Sequence, residues 1–408
     1  MADVPTSIPR VSAKARQYVN EVLDFGFHNA SSPGFYGRLE QAFAAKFGVG
    51  FGILHCNGTA TMHSALLAAG VGAGDEVIVP TLTMASTALV ALHANAVPIF
   101  ADVDPDTLTI SINDVRRKIT PRTRAIIPVS IYGLSPDMDP LMALAREHNL
   151  TVIEDNAECF LGRYKGRLVG SIGQFASFSF QASKHMTCGD GGILLCDDET
   201  LALAARRAAI LGYAGLSARP GDSVIPEEVR CHPTFARHVG YGFNYRMPEI
   251  AAAAALGELE RLDELVAMRQ ASAALIDQVV ADCPWLVPQA TPEGYEHSYW
   301  TYAARIADGG PEWAVFRRKF VEIAGDGFYG AWLPVHREPV FAKLSEAVAA
   351  DPSRYPHFAG VLPDYRQVTC PVWERLQPRI IQLKTNHFDL ATARQHADAL
   401  AKTIREFS

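Results

Sequence analysis

ALLAAGVGAGDEVIVPTLTMASTALVALHANAVPIFADVD, residues 65–104, combines helical and strand periodicity. It reads as a helix, a glycine turn, a strand, a second helix and a second strand. Strands that are joined through a helix usually lie parallel in one sheet, because the chain crosses back over the sheet between them. The stretch therefore predicts an α/β fold with a mostly parallel sheet.

Short apolar runs that are rich in β-branched residues recur along the first 250 residues. They are EVIVP (76–80), VPIFADV (97–103), RAIIPVS (124–130), LTVIED (150–155), FASFSF (175–180) and GGILLC (191–196). Turn residues flank these runs, and continuous apolar runs are typical of strands covered on both faces. The segments between them, such as 140–150, have helical spacing, so we expect the sheet to lie between helices.

The sequence pattern changes near Met247. Residues 248–280 form one alanine- and leucine-rich helical stretch, and Pro248 suits its first turn. We predict a large domain over 1–250, which includes an N-terminal helical segment. A linking helix and a small C-terminal domain then occupy 251–408, since the chain is long enough for two domains.

The composition argues against several classes of protein. With 49% hydrophobic and 20% charged residues, the chain is typical of soluble globular proteins. A net charge of −7 and the lack of a basic run disfavour nucleic acid as a partner. Residues 1–19 lack the apolar core of a secretory signal, and no apolar run is long enough to span a membrane. Seven cysteines without a C-x-x-C pair disfavour a metal site or disulfides, so we expect a cytoplasmic protein.

A candidate anion site lies in HCNGTATMHSALLAAG, residues 55–70. A strand runs into Asn57, Gly58 and Thr59, and a helix follows. Glycine allows backbone N–H groups to approach an anion, and a helix N-terminus carries partial positive charge. The alternative is an ordinary helix N-cap. A Walker loop is excluded because the G-x-x-x-x-G-K pattern is missing.

Two further features bear chemically active groups. A buried strand ends in Glu154 and Asp155, at the sheet edge where open α/β sheets bind ligands. Lys184 follows another buried strand in SFSFQASKHMTCGDGG, residues 177–192. Burial disfavours the charged form of an amine, and the uncharged amine is the nucleophile. The alternatives are a salt bridge or N-cap for the acids and a surface position for the lysine.

The three features together match pyridoxal 5′-phosphate (PLP). This cofactor needs N–H donors for its phosphate, a carboxylate for its pyridine nitrogen and an amine for its aldehyde. A nicotinamide dehydrogenase is disfavoured, because no G-x-G-x-x-G follows an early strand.

From about Gly34 to the C-terminus, the chain resembles the DegT/DnrJ/EryC1/StrS family of PLP-dependent sugar aminotransferases. The resemblance implies the fold type I architecture of aspartate aminotransferase. In that architecture a seven-stranded, mostly parallel sheet lies between helices, and a smaller C-terminal α+β domain follows. The segments that carry the resemblance are NGTATMHSAL (57–66), GDEVIVPTLTMASTALVALHANAVPIFADVDPDTLTI (74–110), VIEDNAE (152–158), SFSFQASKHMTCGDGG (177–192) and GYGFNYRMPEIAAAAALGELERLD (240–263).

The resemblance also implies roles for individual residues. Lys184 would bind the cofactor aldehyde covalently, and Asp155 would hold the pyridinium nitrogen. Asn244, in FNYRM, would reach the cofactor phosphate of the neighbouring subunit, so that a homodimer shares its active sites. The other phosphate ligands would be Gly58, Thr59 and Ser179.

Three places depart from the family pattern. Met84 stands where the family usually stacks an aromatic ring on the cofactor, and its thioether can cover the ring. Glu158 stands where many members have glutamine, so its carboxylate needs a proton or a cation beside the cofactor's phenolic oxygen. The segment IIQLKTNHF, residues 380–388, lacks the usual Leu-Pro ending.

Substrate contacts are predicted for three residues. His185 directly follows Lys184, and His336 resembles a substrate-loop histidine of some members, although an ordinary loop position is an alternative. Arg246 belongs either to the shared interface or to a surface ion pair.

The retained lysine favours amino transfer. The family also contains dehydratases in which histidine replaces it, but a lysine can both free the cofactor and shuttle a proton. We predict transfer from L-glutamate or L-glutamine to a keto sugar in amino-sugar or polysaccharide biosynthesis. The acceptor would be a nucleotide-linked 4-keto or 3-keto sugar or an 8-oxo octulosonate. The alternatives are a sugar dehydratase, a scyllo-inosose aminotransferase and a non-catalytic PLP-binding relative.

Overall fold

The computed structural model describes residues 4–27, 34–221 and 223–407. The strands are β1 (Phe51–His55), β2 (Glu76–Pro80), β3 (Val97–Ala101), β4 (Thr123–Ile126), β5 (Thr151–Asp155), β6 (Arg163–Tyr164), β7 (Arg167–Leu168), β8 (Phe175–Ser179), β9 (Gly192–Cys196), β10 (Leu286–Pro288), β11 (Tyr295–Glu296), β12 (Tyr302–Ile306), β13 (Tyr329–Gly330) and β14 (Ile380–Leu383). The α-helices are α1 (Ala13–Phe25), α2 (Phe35–Phe47), α3 (Gly58–Ala68), α4 (Ser86–His93), α5 (Ile112–Lys118), α6 (Met138–Glu147), α7 (Glu199–Ala209), α8 (Glu227–Arg230), α9 (Glu249–Leu259), α10 (Leu262–Val280), α11 (Trp313–Ala324), α12 (Pro339–Ala350), α13 (Pro371–Leu376) and α14 (Leu390–Arg405). Within the described ranges, no helix is both long and apolar enough to span a bilayer.

The large sheet has seven strands in the order β1-β9-β8-β5-β4-β2-β3. The five strands from β8 to β3 in this order pair in parallel, whereas β9 is antiparallel to both β8 and β1. The predicted α/β fold with a mostly parallel sheet is confirmed.

Helices cover both faces of this sheet. Neighbouring residues of one strand enter different apolar clusters: Ile78 and Val152 lie in one, Val79 and Ile153 in the other. This follows from the two-residue period of a strand, and it explains why the strands read as continuous apolar runs.

A smaller four-stranded sheet, in the order β10-β12-β14-β13, lies in the C-terminal part of the chain. Its core packs Trp285, Phe316 and Ile381 with α10, α11 and α14. Residue 250 thus separates the two sheets, but it does not separate the cores. The later segment around Phe341 and Tyr365 returns to the large sheet, where the Tyr365 hydroxyl donates to the carbonyl of Pro98 at 2.9 Å.

The predicted single helix over 248–280 is wrong, because α9 ends at Leu259 and α10 begins at Leu262. Arg261 lies at this break. Its guanidinium donates to Glu258 and to the carbonyl of Arg10, which ties the break to the N-terminal segment.

Candidate active site

A cavity of about 410 Å³ opens where β5 and β8 end. This is the edge at which open α/β sheets bind ligands. Most of the predicted cofactor ligands line it together, namely Gly58, Thr59, Met84, Asp155, Glu158, Ser179 and Lys184.

One wall is the first turn of α3. The Asn57 side chain caps this helix by accepting from the Ala60 N–H at 2.8 Å, and other N–H groups of the first turn have no partner within the helix. Gly58 is required here, since a Cβ atom would lie 2.9 Å from the Cβ of Ser179. A Cβ at Gly192 would meet the Gly58 nitrogen at 2.8 Å, so this glycine also allows the close approach.

Asp155 lies at the base of the cavity and is buried. It accepts from the Thr87 hydroxyl at 2.8 Å and from the Ala157 N–H at 3.2 Å. Burial raises the pKa of Asp155, and these two donors and the charge of Lys184 oppose the rise. The hydrogen bonds fix the direction in which the carboxylate faces.

The Lys184 amine reaches the same cavity. Its Nζ lies 3.4 Å from Glu158 Oε1 and 4.6 Å from the centre of the Trp300 indole, in a cation–π contact. Glu158 also accepts from the Tyr132 N–H at 3.1 Å. Burial raises the pKa of Glu158, while Lys184 opposes this rise. Glu158 therefore has the cationic partner that the sequence required.

Trp300 and Trp332 line the cavity from the C-terminal part of the chain, with ring centres 6.2 Å apart. Sequence reasoning missed both of them, together with Thr87. No motif marks these residues, because their position depends on how the C-terminal part of the chain folds over the sheet edge.

The two predicted substrate histidines lie elsewhere. His185 is buried against Phe160 with Nε2 2.9 Å from the Ser298 carbonyl, and burial lowers its pKa well below the usual value. His336 is buried between the Thr81 hydroxyl and Glu374, at 2.8 Å from each. Neither ring lines the cavity, so the substrate contacts of both histidines stay a prediction.

Asn244 and Arg246 are exposed and do not line the cavity of their own subunit. Asn244 forms a bridge with Ile210 that holds its backbone at the end of α7. In the part of the chain that the structure describes, no group of three or more His, Cys, Asp or Glu side chains could hold a metal ion.

The profile of the DegT/DnrJ/EryC1/StrS aminotransferase family matches residues 9–375. The chain belongs to this family. The predicted aminotransferase activity is therefore confirmed at the level of the family, whose members depend on PLP.

Named relatives agree with this assignment. The chain is 36% identical to GDP-perosamine synthase of Caulobacter vibrioides, over 88% of this chain and 95% of that protein. It is 34% identical to L-glutamine:2-deoxy-scyllo-inosose aminotransferase of Micromonospora echinospora, over 92% and 88%. The crystal structure of an aminotransferase from Psychrobacter cryohalolentis superimposes with a TM-score of 0.83 at 27% identity, over 99% and 100%.

The cavity fits PLP by the chemistry of its donors. The first turn of α3 and Ser179 would hold the phosphate, and Asp155 would hold the pyridine nitrogen. Lys184 would bind the aldehyde. The close approach of Gly58 to Ser179 is the observation that supports this fit, since it brings the Ser179 side chain beside the first turn of α3, whose N–H groups can bind an anion.

Proposed function

We propose that this protein transfers the amino group of L-glutamate or L-glutamine to a keto sugar, with PLP as cofactor. One observation carries the proposal: the Lys184 amine lies in the same cavity as Asp155 and the open first turn of α3. Retention of the lysine disfavours the dehydratase alternative, because a lysine can both free the cofactor and shuttle the proton, whereas a histidine can only shuttle the proton.

Bound PLP would supply an electron sink for the carbon that loses its proton. Asp155, oriented by Thr87, would keep the pyridine nitrogen protonated. Lys184 would remove and return the proton at the reacting carbon, with its Nζ held near Glu158. The Trp300 indole and Met84 would exclude water from the cofactor.

The cofactor assignment is tested by borohydride reduction of the purified protein. We expect the protein to be yellow and borohydride to fix PLP to Lys184. The variant Lys184→Ala should still bind PLP but should not catalyse turnover. Lys165→Ala is the matched control, because this lysine lies on the surface. Fixation to another lysine would refute the assignment.

The keto-sugar acceptor is supported by the name of one relative, GDP-perosamine synthase, and by the Trp300–Trp332 wall. Aromatic side chains with a few polar groups are typical of small-molecule pockets, and indole faces pack well against the apolar faces of sugar rings. A nucleotide-linked sugar also carries phosphates. These would bind in an open cleft, remote from the reacting carbonyl, and would orient it.

A cyclitol such as scyllo-inosose is the second candidate, favoured by the charge of the cavity. Among the described lining residues Lys184 is the one cation, whereas Asp155, Glu158 and Asp190 are acidic. A phosphate would thus need cations from beyond this lining, for example from a neighbouring subunit.

Acceptor preference is measured with glutamate and with glutamine as donor. The panel contains nucleotide-linked 4-keto and 3-keto sugars, an 8-oxo octulosonate, scyllo-inosose and pyruvate. We expect one of the charged sugars to have the highest kcat/KM by orders of magnitude. A preference for scyllo-inosose would establish the cyclitol candidate, and a preference for pyruvate would refute both.

We further propose that the active unit is a homodimer in which Asn244 reaches the neighbouring cofactor phosphate. Its exposed position outside its own cavity is consistent with this role. Asn244→Ala should weaken PLP retention by about 1–3 kcal/mol, since a phosphate donor is lost. A fully active monomer in light scattering would contradict the proposal.

A further inference from the structure

Arg269 is a buried cation next to the turn that bears Lys184. It lies within α10, with 5% of its surface exposed. Its Nη2 donates to the carbonyls of Ser183 and Lys184, each at 3.0 Å. Its Nη1 donates to the carbonyl of Trp300 at 2.6 Å.

One guanidinium thus joins three segments: α10, the turn after β8, and the residues before β12. A planar guanidinium directs its donors in a rigid fork, so it fixes the relative positions of the carbonyls that it binds. Lys184 and Trp300 are the two residues whose side chains meet in the cavity at 4.6 Å. Arg269 therefore holds the backbones of both partners of that contact.

Several other hydrogen bonds also hold this turn, including side-chain bonds within residues 179–187 and the contact of His185 with the Ser298 carbonyl. The Trp300 indole N–H donates to the Ser183 carbonyl at 2.9 Å, and the Lys184 N–H donates to the Gln181 carbonyl at 2.9 Å. The first bond depends on the position of Trp300, which Arg269 also fixes. Loss of Arg269 would therefore loosen both sides of the contact at once.

Hydrogen bonds from Arg269 go to backbone carbonyls and not to a carboxylate. Burial lowers the pKa of Arg269 to about 9, and the charge of Glu158 opposes this shift. Carbonyl dipoles alone rarely justify a buried charge, because desolvation is costly. A fixed position for Lys184 is a function that accounts for its presence.

We propose that Arg269 is a positioning residue, whose fork to the carbonyls of Ser183, Lys184 and Trp300 holds the Lys184 amine between Glu158 and the Trp300 indole. This inference rests on the proposed role of Lys184 as the lysine that binds the cofactor.

The test compares Arg269→Met, Arg269→Lys and Arg261→Met in the PLP-loaded protein. Arg261 is the matched control: it is also buried and binds backbone carbonyls, but it lies at the break between α9 and α10 and does not line the cavity. The readouts are thermal stability, the rate at which borohydride fixes PLP to Lys184, and kcat and KM for the donor.

We expect Arg269→Met to lower kcat roughly 10- to 100-fold, because a misplacement of about 1 Å costs that much, while the donor KM changes little. Borohydride fixation at Lys184 should also slow. Arg269→Lys should recover part of both losses, since an ammonium retains donors but not the fork. Arg261→Met should lose stability without either change.

If Arg269→Met and Arg269→Lys lose stability as Arg261→Met does, but keep the parent kcat and fixation rate, the inference is wrong. If Arg269→Met does not fold, Arg269→Lys decides alone by the same two readouts. Failure of borohydride to label Lys184 in the parent protein would instead refute the proposed function.

Discussion

Two buried arginines show how differently this molecule uses the same side chain. Arg206, in α7, binds Glu40 of α2 through two parallel hydrogen bonds of 3.0 and 2.8 Å. It also donates to the carbonyls of Gly52 and Ala218. Arg269, beside the cavity, binds three carbonyls and no carboxylate.

The electrostatic consequence differs in sign. Burial lowers the pKa of Arg206, but the charge of Glu40 and its hydrogen bonds more than offset this, so the pKa is raised. For Arg269 burial prevails and the pKa falls to about 9. A carboxylate partner cancels the field of a buried cation, whereas carbonyl dipoles leave part of it to act on neighbours such as Glu158. The first arrangement joins structural elements, and the second lies next to the reacting groups.

The largest expected effect is on stability at the paired site. Arg206→Met leaves Glu40 as an uncompensated buried charge and should lower the free energy of unfolding by roughly 3–5 kcal/mol. Urea denaturation measures this loss. The double variant Arg206→Met/Glu40→Gln should recover part of it, because the amide oxygen still accepts from the Leu54 N–H. If Arg206→Met is as stable as the parent, the difference inferred between Arg206 and Arg269 is wrong.

His336, like Arg206, joins structural elements, because both ring nitrogens are hydrogen-bonded to other protein groups. His336→Ala should lower the free energy of unfolding by about 1–3 kcal/mol, because Thr81 and Glu374 lose a partner. We expect kcat/KM of the folded enzyme to stay at the parent value. Lower kcat/KM without a loss of stability would support the substrate role predicted from the sequence.

A pH series tests the environment of Glu158. Burial raises its pKa in the folded state, so the folded chain holds the proton more tightly than the unfolded chain. The folded protein therefore becomes less stable relative to the unfolded chain as the pH rises from the usual glutamate range through the folded pKa of Glu158. After removal of the cofactor, the stability of Glu158→Gln relative to the parent should therefore increase with pH across this window, by about 1.4 kcal/mol for each pH unit that the window spans.

Glu374→Gln is the control of opposite sign. Burial acts to raise the pKa of Glu374, but hydrogen bonds outweigh this effect and lower the pKa. The bond with His336 contributes most to the lowering. The ionised carboxylate stabilises the folded protein, and this contribution is lost as the pH falls through its folded pKa. Glu374→Gln should therefore be less stable than the parent at the higher pH values, where the parent keeps this contribution. Equal slopes for both variants would contradict the assigned directions.

The smallest effect is expected for an exposed ion pair. Lys165 Nζ lies 2.6 Å from Asp139 Oδ2, but about half of each side chain is exposed, at 52% and 56%. Water and salt screen such pairs. Lys165→Ala should leave the urea midpoint unchanged within error, and a loss as large as that of Arg206→Met would show that burial is not what separates these sites.

The sequence predicted much of the cavity, because PLP requires particular groups in chain order. Gly58, Asp155 and Lys184 end or follow apolar strands, and parallel strands bring their carboxyl ends to one edge. Substrate contacts of His185 and His336 stay a prediction, since the structure places their rings outside the cavity lining, bonded to Ser298, Thr81 and Glu374. A histidine in a loop carries no signal of the direction in which its ring will point.

The sequence by itself determined the α/β class, the mostly parallel sheet and the family, because local periodicity and chain-order motifs encode these properties. Tertiary structure alone decided which groups from the C-terminal part of the chain contact the predicted cofactor residues. Trp300 lies 116 residues from Lys184 along the chain, yet its indole covers that amine. Arg269 is one of seven polar residues in the 19-residue helix α10, and its role depends on three carbonyls from two other segments. Contacts between distant segments arise from packing, for which no local pattern exists.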